Sequence, residues 1–168
     1  MPIAEDIAAV ERQEKEIILP SFDNDTAWRI GLTIRELALS RKQSIVVDVR
    51  RFGQPHYQLF YTAFPGTTPN NMRWVERKVA VVSRFHRSSY GIGLYLQQNN
   101  ITFGKRYDLP EGDYAAHGGC FPINVAGAGI IGSVTVSGLT QREDHNLAVE
   151  ALCLEAKLNH ESLKLPPA

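Results

Sequence analysis

The segment from Asp113 to Asp144 constrains the fold more than any other part of this sequence, because it predicts a β-hairpin that leads directly into a helix. Residues 113–125 and 130–137 have the alternating, β-branched pattern of strands. The turn between them, 126–129, contains two glycines that supply positive φ angles at low cost. Pro122 has no N–H group, so we expect its strand to lie at a sheet edge or to carry a bulge there.

The glycines of this turn also spell a GxGxxG motif, from Gly127 to Gly132. In a dinucleotide-binding fold this motif must be followed by a helix whose N-terminus holds the pyrophosphate. Residues 133–136 instead have the pattern of a strand. We therefore favour a hairpin turn over a nucleotide site.

The helix after the hairpin begins with the capping-box pattern of Thr140 and Glu143. We expect it to continue to about Lys157. One face, at helical spacing, would carry four apolar residues: Leu147, Ala151, Leu154 and Leu158.

Asp144 lies near that apolar face and has two interpretations. An acidic residue in the first turn of a helix is stabilised by the macrodipole by about 0.3 to 1 kcal/mol. Alternatively, Asp144 is an acceptor at the rim of a pocket, facing His117 or His145. The sequence leaves both open.

Composition limits the class of protein. A chain of 168 residues with 43% hydrophobic residues has the size of one domain, 1–168, with one core. The 18 basic and 18 acidic residues balance, so no global field attracts nucleic acid or an anionic membrane. The two cysteines, Cys120 and Cys153, form no CxxC pair, and no signal peptide or spanning segment is recognisable. We expect a reduced, cytoplasmic protein.

The other segments predict mainly helices. We expect helices at 3–19, 24–42, 72–87 and 90–99, a strand hairpin formed by 44–52 and 56–64, and a short strand at 101–103. In the second helix, Trp28 and Leu32 are expected to be buried against the sheet.

The third helix carries a basic stripe on one face, formed by Arg73, Arg77, Arg84 and Arg87. Such a stripe is either solvated and ion-paired, or it binds anions or protein partners. Lys78 and His86 fall instead among the apolar residues of this helix. Lys78 would either snorkel to water or supply a cation to a pocket, with Asp144 or a bound carboxylate as its partner.

The histidines and cysteines allow few kinds of chemistry. None of the five histidines forms an HxxxH or HxH pair, so we predict no structural zinc site. A heme needs only one axial ligand, for which His117, Cys120 and His145 are eligible. A nucleophilic Cys120 assisted by His117 would require a bulge at Gly118-Gly119. Ser89 is a helix cap or a hydrogen-bond donor.

Several strings together resemble a known family. Gly118-Gly119 with Pro122-Ile123, Gly132 with 136–138, and Asp144 in the following helix resemble the signature of the HbpS-like superfamily. These proteins are also called GlcG-like or heme-degrading-domain proteins, and the PduO C-terminal domain belongs with them. The strings His117-Gly118-Gly119, Trp74 with Arg77-Lys78, Ser88-Ser89 and 136–139 are similar to the short cytosolic branch of the superfamily, which carries an uncharacterised-family label.

The resemblance implies an α+β fold, namely a profilin-like three-layer α/β/α domain whose central antiparallel sheet has about five strands. It also implies a homo-oligomer. Some members of the superfamily bind heme or act around corrinoids, which makes heme or another tetrapyrrole a candidate cofactor.

Three functions remain open. The first is a small-ligand-binding domain, with a pocket around the HGGC and VSG-x5-D segments. Its expected ligand-binding residues are His117, Gly118, Gly119, Cys120, Asp144, His145, Lys78 and Ser89. The second is an enzyme of unknown reaction that uses the same pocket. The third is a homo-oligomeric scaffold that binds protein partners through the basic stripe.

Overall fold

The computed structural model describes residues 3–168. Within them, seven helices are formed: α1 Ile3–Glu16, α2 Asn24–Ser40, α3 Pro69–Phe85, α4 Ser89–Gln98, α5 Phe103–Tyr107, α6 Gln141–Ala156 and α7 His160–Leu163. Four strands accompany them: β1 Val46–Arg51, β2 Tyr57–Ala63, β3 Cys120–Val125 and β4 Gly129–Ser137. None of the helices in 3–168 combines the length and apolar character needed to cross a bilayer.

The strands form one antiparallel sheet in the order β2-β1-β4-β3. The sheet has four strands where about five were expected. Residues 101–103, predicted as a short strand, instead lead into α5. The Thr102 side chain accepts a hydrogen bond from Lys105 N at 3.3 Å, and this N-cap starts a helix at Phe103.

Helices cover both faces of the sheet, which gives the expected three layers. On one face, α2 and α6 pack through Ile30, Ile34 and Leu147 against the apolar side chains of the strands. On the other face, α3 packs through Val75 and Val79. Every second strand residue faces each layer, so both faces of the central strands are buried.

The predicted hairpin is confirmed between β3 and β4. Gly127 and Gly129 have φ angles of 77° and 80°, as the turn requires. The strand that contains Pro122 is at the edge of the sheet, and its register shifts at Ile123/Asn124. However, β3 begins only at Cys120, because residues 113–119 do not join the ladder.

Some predicted burial is wrong. Trp28 is 55% exposed and Leu32 is 38% exposed, because α2 turns Ala27, Ile30 and Ile34 towards the core instead. Leu154 of α6 is likewise 54% exposed.

His86 was also predicted to lie among apolar residues. It is exposed and ends α3 in the left-handed conformation, with a φ angle of 53°. Because α3 ends at Phe85, His86 caps the helix and does not join its apolar face.

Candidate functional site

Helices α3 and α6 lie on opposite faces of the sheet, so their side chains can meet only beyond its end. At this end, Gly119 directly precedes β3 and Gly138 directly follows β4. The two segments are joined by a hydrogen bond from Val136 N to Gly119 O at 2.9 Å. The missing side chain of Gly119 leaves the space in which Lys78 of α3 and Asp144 of α6 approach each other.

Lys78 of α3 and Asp144 of α6 form an ion pair in this space. Lys78 Nζ lies 3.2 Å from Asp144 Oδ2 and donates a second hydrogen bond to Val136 O at 3.1 Å. Lys78 is 3% exposed and Asp144 2% exposed. Lys78 therefore does not snorkel to water, and its partner is the carboxylate that the sequence offered as the alternative.

The backbone fixes the position of Asp144. Its Oδ1 accepts a hydrogen bond from Leu139 N at 3.0 Å. The capping box predicted from Thr140 and Glu143 is present and holds the start of α6 in place. Both Asp144 oxygens therefore have donors, one from the backbone and one from Lys78. The functional interpretation from the sequence had Asp144 facing His117 or His145, but its hydrogen-bond partners are Lys78 and Leu139.

Gly119 is required for the close approach of the ion pair. Its φ angle is 134°, a conformation that residues with a side chain rarely adopt. A Cβ atom there would lie 2.6 Å from Lys78 Nζ and would also collide with the Val136 carbonyl oxygen. The neighbouring Gly118 has a similar role, since a Cβ atom there would collide with the Gln141 carbonyl oxygen.

Burial shifts the pKa of both partners towards their neutral forms. Loss of hydration raises the pKa of Asp144 to about 6, although the nearby Lys78 ammonium opposes this shift. Loss of hydration lowers the pKa of Lys78, against the opposing effect of Asp144. The carboxylate can therefore take up a proton near neutral pH.

The ion pair forms part of the wall of a cavity of about 270 Å³, which we name the Lys78–Asp144 cavity. Its lining residues are Asn71, Trp74, Lys78, His117, Ser137, Gly138, Leu139, Gln141 and Asp144. The sequence predicted Lys78, His117 and Asp144 as site residues. It gave no functional role to Asn71 or Gln141. Both are polar residues in the first turn of a helix that flanks the cavity, and this position was the signal that could have identified them.

His117 lies at the exposed side of this cavity. The edge of its ring meets Trp74, with 5.3 Å between the ring centroids. Partial burial lowers the pKa of His117, as do the positive charges of Lys78 and Arg77. His117 is therefore neutral near pH 7 and can offer an unprotonated nitrogen.

Cys120 and Ser89 do not line the cavity. Both are fully buried, and Ser89 Oγ lies 3.1 Å from Cys120 N and 3.3 Å from Cys120 O. Burial raises the pKa of Cys120 to about 12, so its thiol is protonated at neutral pH. The bulge in β3 lies at Ile123/Asn124, away from Gly118-Gly119. The geometry gives no activated cysteine.

His145 is also outside the cavity lining, although it follows Asp144 directly. It is fully buried, and its Nε2 lies 2.8 Å from Gln13 Oε1. Its ring packs against Tyr90 and Phe121, with centroid distances of 4.9 and 5.8 Å. Burial lowers the pKa of His145 to about 3, so it is a neutral core residue.

These positions bear on the binding of a heme. Cavities for drug-sized ligands span roughly 300 to 1,000 Å³, and the cavity here has a volume of about 270 Å³. Cys120 and His145 offer no exposed surface to an axial ligand site. The residues present therefore do not fit a heme held inside the cavity, and of the three eligible residues only His117 is exposed. Within 3–168, no three His, Cys, Asp or Glu side chains cluster as metal ligands.

Three of the four arginines of the basic stripe, Arg73, Arg77 and Arg87, make contacts within the chain. Arg73 pairs with Asp113 at 3.3 Å, and Arg87 pairs with Glu14 at 3.0 Å. Arg77 donates to the Glu111 carbonyl oxygen at 3.2 Å, and its guanidinium lies 4.8 Å from the centre of the Trp74 ring. Arg73 and Arg87 are therefore ion-paired, whereas exposed Arg84 has no ion pair among residues 3–168.

The fold is similar to that of several solved proteins. The Ybr137w protein has a TM-score of 0.81 and 27% identity, and the match covers 90% of this chain and 88% of that one. HbpS has a TM-score of 0.63 and 19% identity, covering 79% and 88%. The Klebsiella pneumoniae protein ORFY has a TM-score of 0.66 and 18% identity, covering 82% and 92%. At these last two identities the likeness shows the fold alone.

The sequence comparisons identify the family. A UPF0303 protein of Acidobacterium capsulatum is 52% identical over 168 residues, which is the full length of both chains. A UPF0303 protein of Paraburkholderia phymatum is 50% identical over 165 residues, covering 98% of this chain and 97% of the relative. The family model described as "Haem degrading protein HbpS-like" matches residues 22–153. The chain therefore belongs to the HbpS-like family, and these two relatives within it carry the UPF0303 name.

Proposed function

We propose that this protein binds a small molecule in the Lys78–Asp144 cavity. One observation carries the proposal: a buried ion pair lies in the wall of an open cavity, and not within a closed core. Trp74 and Leu139 supply apolar surface beside it, and Asn71 and Gln141 supply polar groups. A concave site that combines apolar surface with convergent polar groups is typical of ligand sites.

Stability alone gives little reason for such a pair. The cost of removing two charges from water often exceeds their attraction, and apolar residues of similar volume are frequently as stable. Ionisable groups with shifted pKa values are concentrated at functional sites. Lys78 and Asp144 have such shifts and line the cavity, which supports a role in binding.

Heme is a second candidate ligand, favoured by the exposed His117 beside Trp74 and by the description of the family model. In this alternative, His117 would be the residue that holds the heme iron, through a ring nitrogen. The heme would supply redox chemistry when bound, while Trp74 would pack against it.

Native mass spectrometry of the protein purified without added ligand tests the proposal. We expect a co-purifying small mass that is lost in Trp74→Ala, which opens the apolar wall. Trp28→Ala is the matched control, because Trp28 is exposed on α2 and away from the cavity. A mass retained equally by both variants would contradict the proposal.

A heme titration followed in the visible spectrum separates the two candidates. If heme is the ligand, wild-type protein gives a stoichiometric Soret shift that His117→Ala loses. His56→Ala is the control, because His56 lies at the β1–β2 turn. Absence of a saturable shift would exclude heme and leave the small-molecule proposal in place.

Further expectations accompany this proposal. We propose that the chain, 1–168, is a single domain that forms a homo-oligomer in the cytoplasm, and native mass spectrometry also gives the subunit number.

Two alternative functions accompany the proposal. The first is an enzyme that uses the same cavity, with Lys78, Asp144 and His117 as its ionisable groups. A scaffold for protein partners is the other alternative, but Arg73, Arg77 and Arg87 of the basic stripe already contact other parts of the chain.

A further inference from the structure

The amide side chains of the cavity present donors to a ligand. Asn71 Oδ1 accepts a hydrogen bond from Thr68 N at 2.9 Å. Gln141 Oε1 accepts one from Gly118 N at 3.2 Å. A backbone N–H can only donate, so each bond requires the amide oxygen on that side. The NH2 groups of both residues make no hydrogen bond within 3–168 and remain as donors.

Lys78 also has an N–H donor without an acceptor. An ammonium group carries three N–H donors. Across residues 3–168, Lys78 Nζ has two acceptors, Val136 O and Asp144 Oδ2. The third N–H belongs to a side chain that lines the cavity and is almost fully removed from solvent.

The carboxylate in the wall is already engaged by donors. Asp144 receives Leu139 N on Oδ1 and Lys78 Nζ on Oδ2. The spare hydrogen-bonding capacity of Lys78, Asn71 and Gln141 is therefore donor capacity. A ligand that matches it carries acceptors, and a carboxylate is a compact group that has acceptors only and pairs with an ammonium.

We propose that the ligand of this cavity is a small carboxylate that replaces Asp144 as the counterion of Lys78, while Asp144 takes up one proton. The proposal rests on the proposed function, because it names the ligand class of the same cavity. The step is a proton uptake from solvent and a change of ion-pair partner, with no covalent bond made or broken.

The proton uptake follows from charge. Lys78 and Asp144 together are neutral, so a bound carboxylate would leave one uncompensated negative charge in a buried site. Two carboxylates that share a buried site cannot both remain ionised without a large cost, and one of them takes up a proton. The Asp144 pKa, which burial has already raised to about 6, makes this uptake accessible near neutral pH.

None of the other charged or titratable groups around Asp144 takes up this proton in its place. Lys78 is the cation in contact from α3. The segment before β3 contributes His117, whose pKa is lowered, and β3 contributes the protonated Cys120 thiol. On α6 itself, Glu143 is engaged in the capping box and His145 is neutral. Arg142 of α6 pairs with Asp6 and does not serve the cavity.

Benzoate and benzamide provide a matched pair of probes, since they have nearly the same shape and differ in charge. Binding is measured by Trp74 fluorescence in a Trp28→Phe background, because the chain has two tryptophans and Trp28 lies outside the cavity. We expect saturable benzoate binding at pH 5.5. Its affinity should fall about tenfold per pH unit above pH 6, because each bound anion requires one proton. Benzamide should bind more weakly and without pH dependence.

Two variants assign the effect to the ion pair. Asp144→Asn should bind benzoate with an affinity that no longer changes between pH 6 and 8, because its side chain does not titrate. Lys78→Met should lose the preference for benzoate over benzamide. If a variant fails to fold, calorimetry of benzoate binding to the wild-type protein, in two buffers of different ionisation enthalpy, measures the proton uptake directly. We expect one proton taken up per benzoate bound at pH 7.

Equal binding of benzamide and benzoate would overturn this inference and leave the small-molecule proposal intact. A benzoate affinity that is unchanged between pH 5.5 and 8 would also overturn it, as would the absence of saturable benzoate binding at pH 5.5. The proposed function would then be decided separately by the co-purifying mass in native mass spectrometry and its loss in Trp74→Ala.

Discussion

Asp144 and His145 are consecutive residues of α6, and both are buried, yet they occupy two different environments. Asp144 lies in the wall of a cavity, with Lys78 as its partner across the end of the sheet. His145 lies in a closed core, between two aromatic rings and against the Gln13 amide. A turn of 100° along one helix separates a candidate ligand site from structural packing.

The difference teaches that burial alone does not identify a functional polar residue. Each side chain has at least one polar partner, and burial shifts the pKa of each. Asp144 differs because it lines the cavity, whereas His145 is packed against Gln13, Tyr90 and Phe121 and does not line it. Contact with a cavity is therefore the property that distinguishes Asp144 from His145.

Lys78→Met should have the largest effect. It leaves the Asp144 carboxylate buried without its counterion, which typically costs about 3 to 5 kcal/mol in free energy of unfolding. The loss measured by urea unfolding at pH 7.5 should shrink at pH 5, where Asp144 is protonated. Arg41→Ala is the control, because it breaks the more exposed Arg41–Glu150 pair and should cost at most about 1 kcal/mol. Equal losses in the two variants would contradict the buried pair.

Gly119→Ala should have the next largest effect. The new Cβ atom meets the Val136 carbonyl oxygen and Lys78 Nζ at a φ angle of 134°. Strain and overpacking together should lower the free energy of unfolding by about 2 to 4 kcal/mol. Gly127→Ala isolates the backbone contribution, since Gly127 also has positive φ but no atom within 4 Å of an added Cβ. It should cost about 1 to 2 kcal/mol in the same urea titration. A larger loss for Gly127→Ala than for Gly119→Ala would refute the steric argument.

His145→Gln should change the pH dependence of stability. The unfolded chain protonates this histidine near pH 6.5, whereas the folded protein keeps it neutral down to about pH 3. Because the unfolded state binds more protons in that interval, His145 lowers stability by about 1.4 kcal/mol for each pH unit below 6.5. The glutamine variant should lack this contribution. Parallel slopes of unfolding free energy for the two proteins between pH 6.5 and 4.5 would show that His145 is not a neutral core residue.

His117→Ala should have the smallest effect on stability. Its side chain is exposed and contacts Trp74 edge-on, so its loss should change the free energy of unfolding by less than about 0.5 kcal/mol. Thermal unfolding of this variant beside His145→Ala sharpens the comparison, because the two histidines differ in burial and not in chemistry. A loss for His117→Ala as large as that for His145→Ala would mean that His117 is a packed residue.

Much of the fold follows from local patterns. The hairpin turn at Gly127 and Gly129, the edge strand with Pro122 and the capping box at Thr140 were predictable because each depends on residues close together in the chain. The short helix α5 was missed, because a single N-cap at Thr102 outweighed the apolar pattern of 101–103. The burial of Trp28 was wrongly predicted, because a helical wheel does not show how much of the surface of α2 the sheet covers.

The candidate site was only partly predictable. The sequence placed Lys78 on an apolar helix face and offered Asp144 as its partner, and these two residues are 66 positions apart. What separated them from Cys120, Ser89 and His145 is the opening beyond the strand ends, which depends on how α3 and α6 pack around the sheet. No spacing rule in one sequence encodes that opening.

The Asp144 carboxyl group gives the most direct test of the account. Carbon-13 NMR of the protein labelled at aspartate, with Asp144→Asn used for assignment, follows its titration with and without saturating benzoate. The account predicts a pKa near 6 in the free protein and a higher pKa with benzoate bound. An Asp144 that titrates near 3.9, as in an exposed peptide, and is unaffected by benzoate would contradict both the buried pair and its role in the cavity.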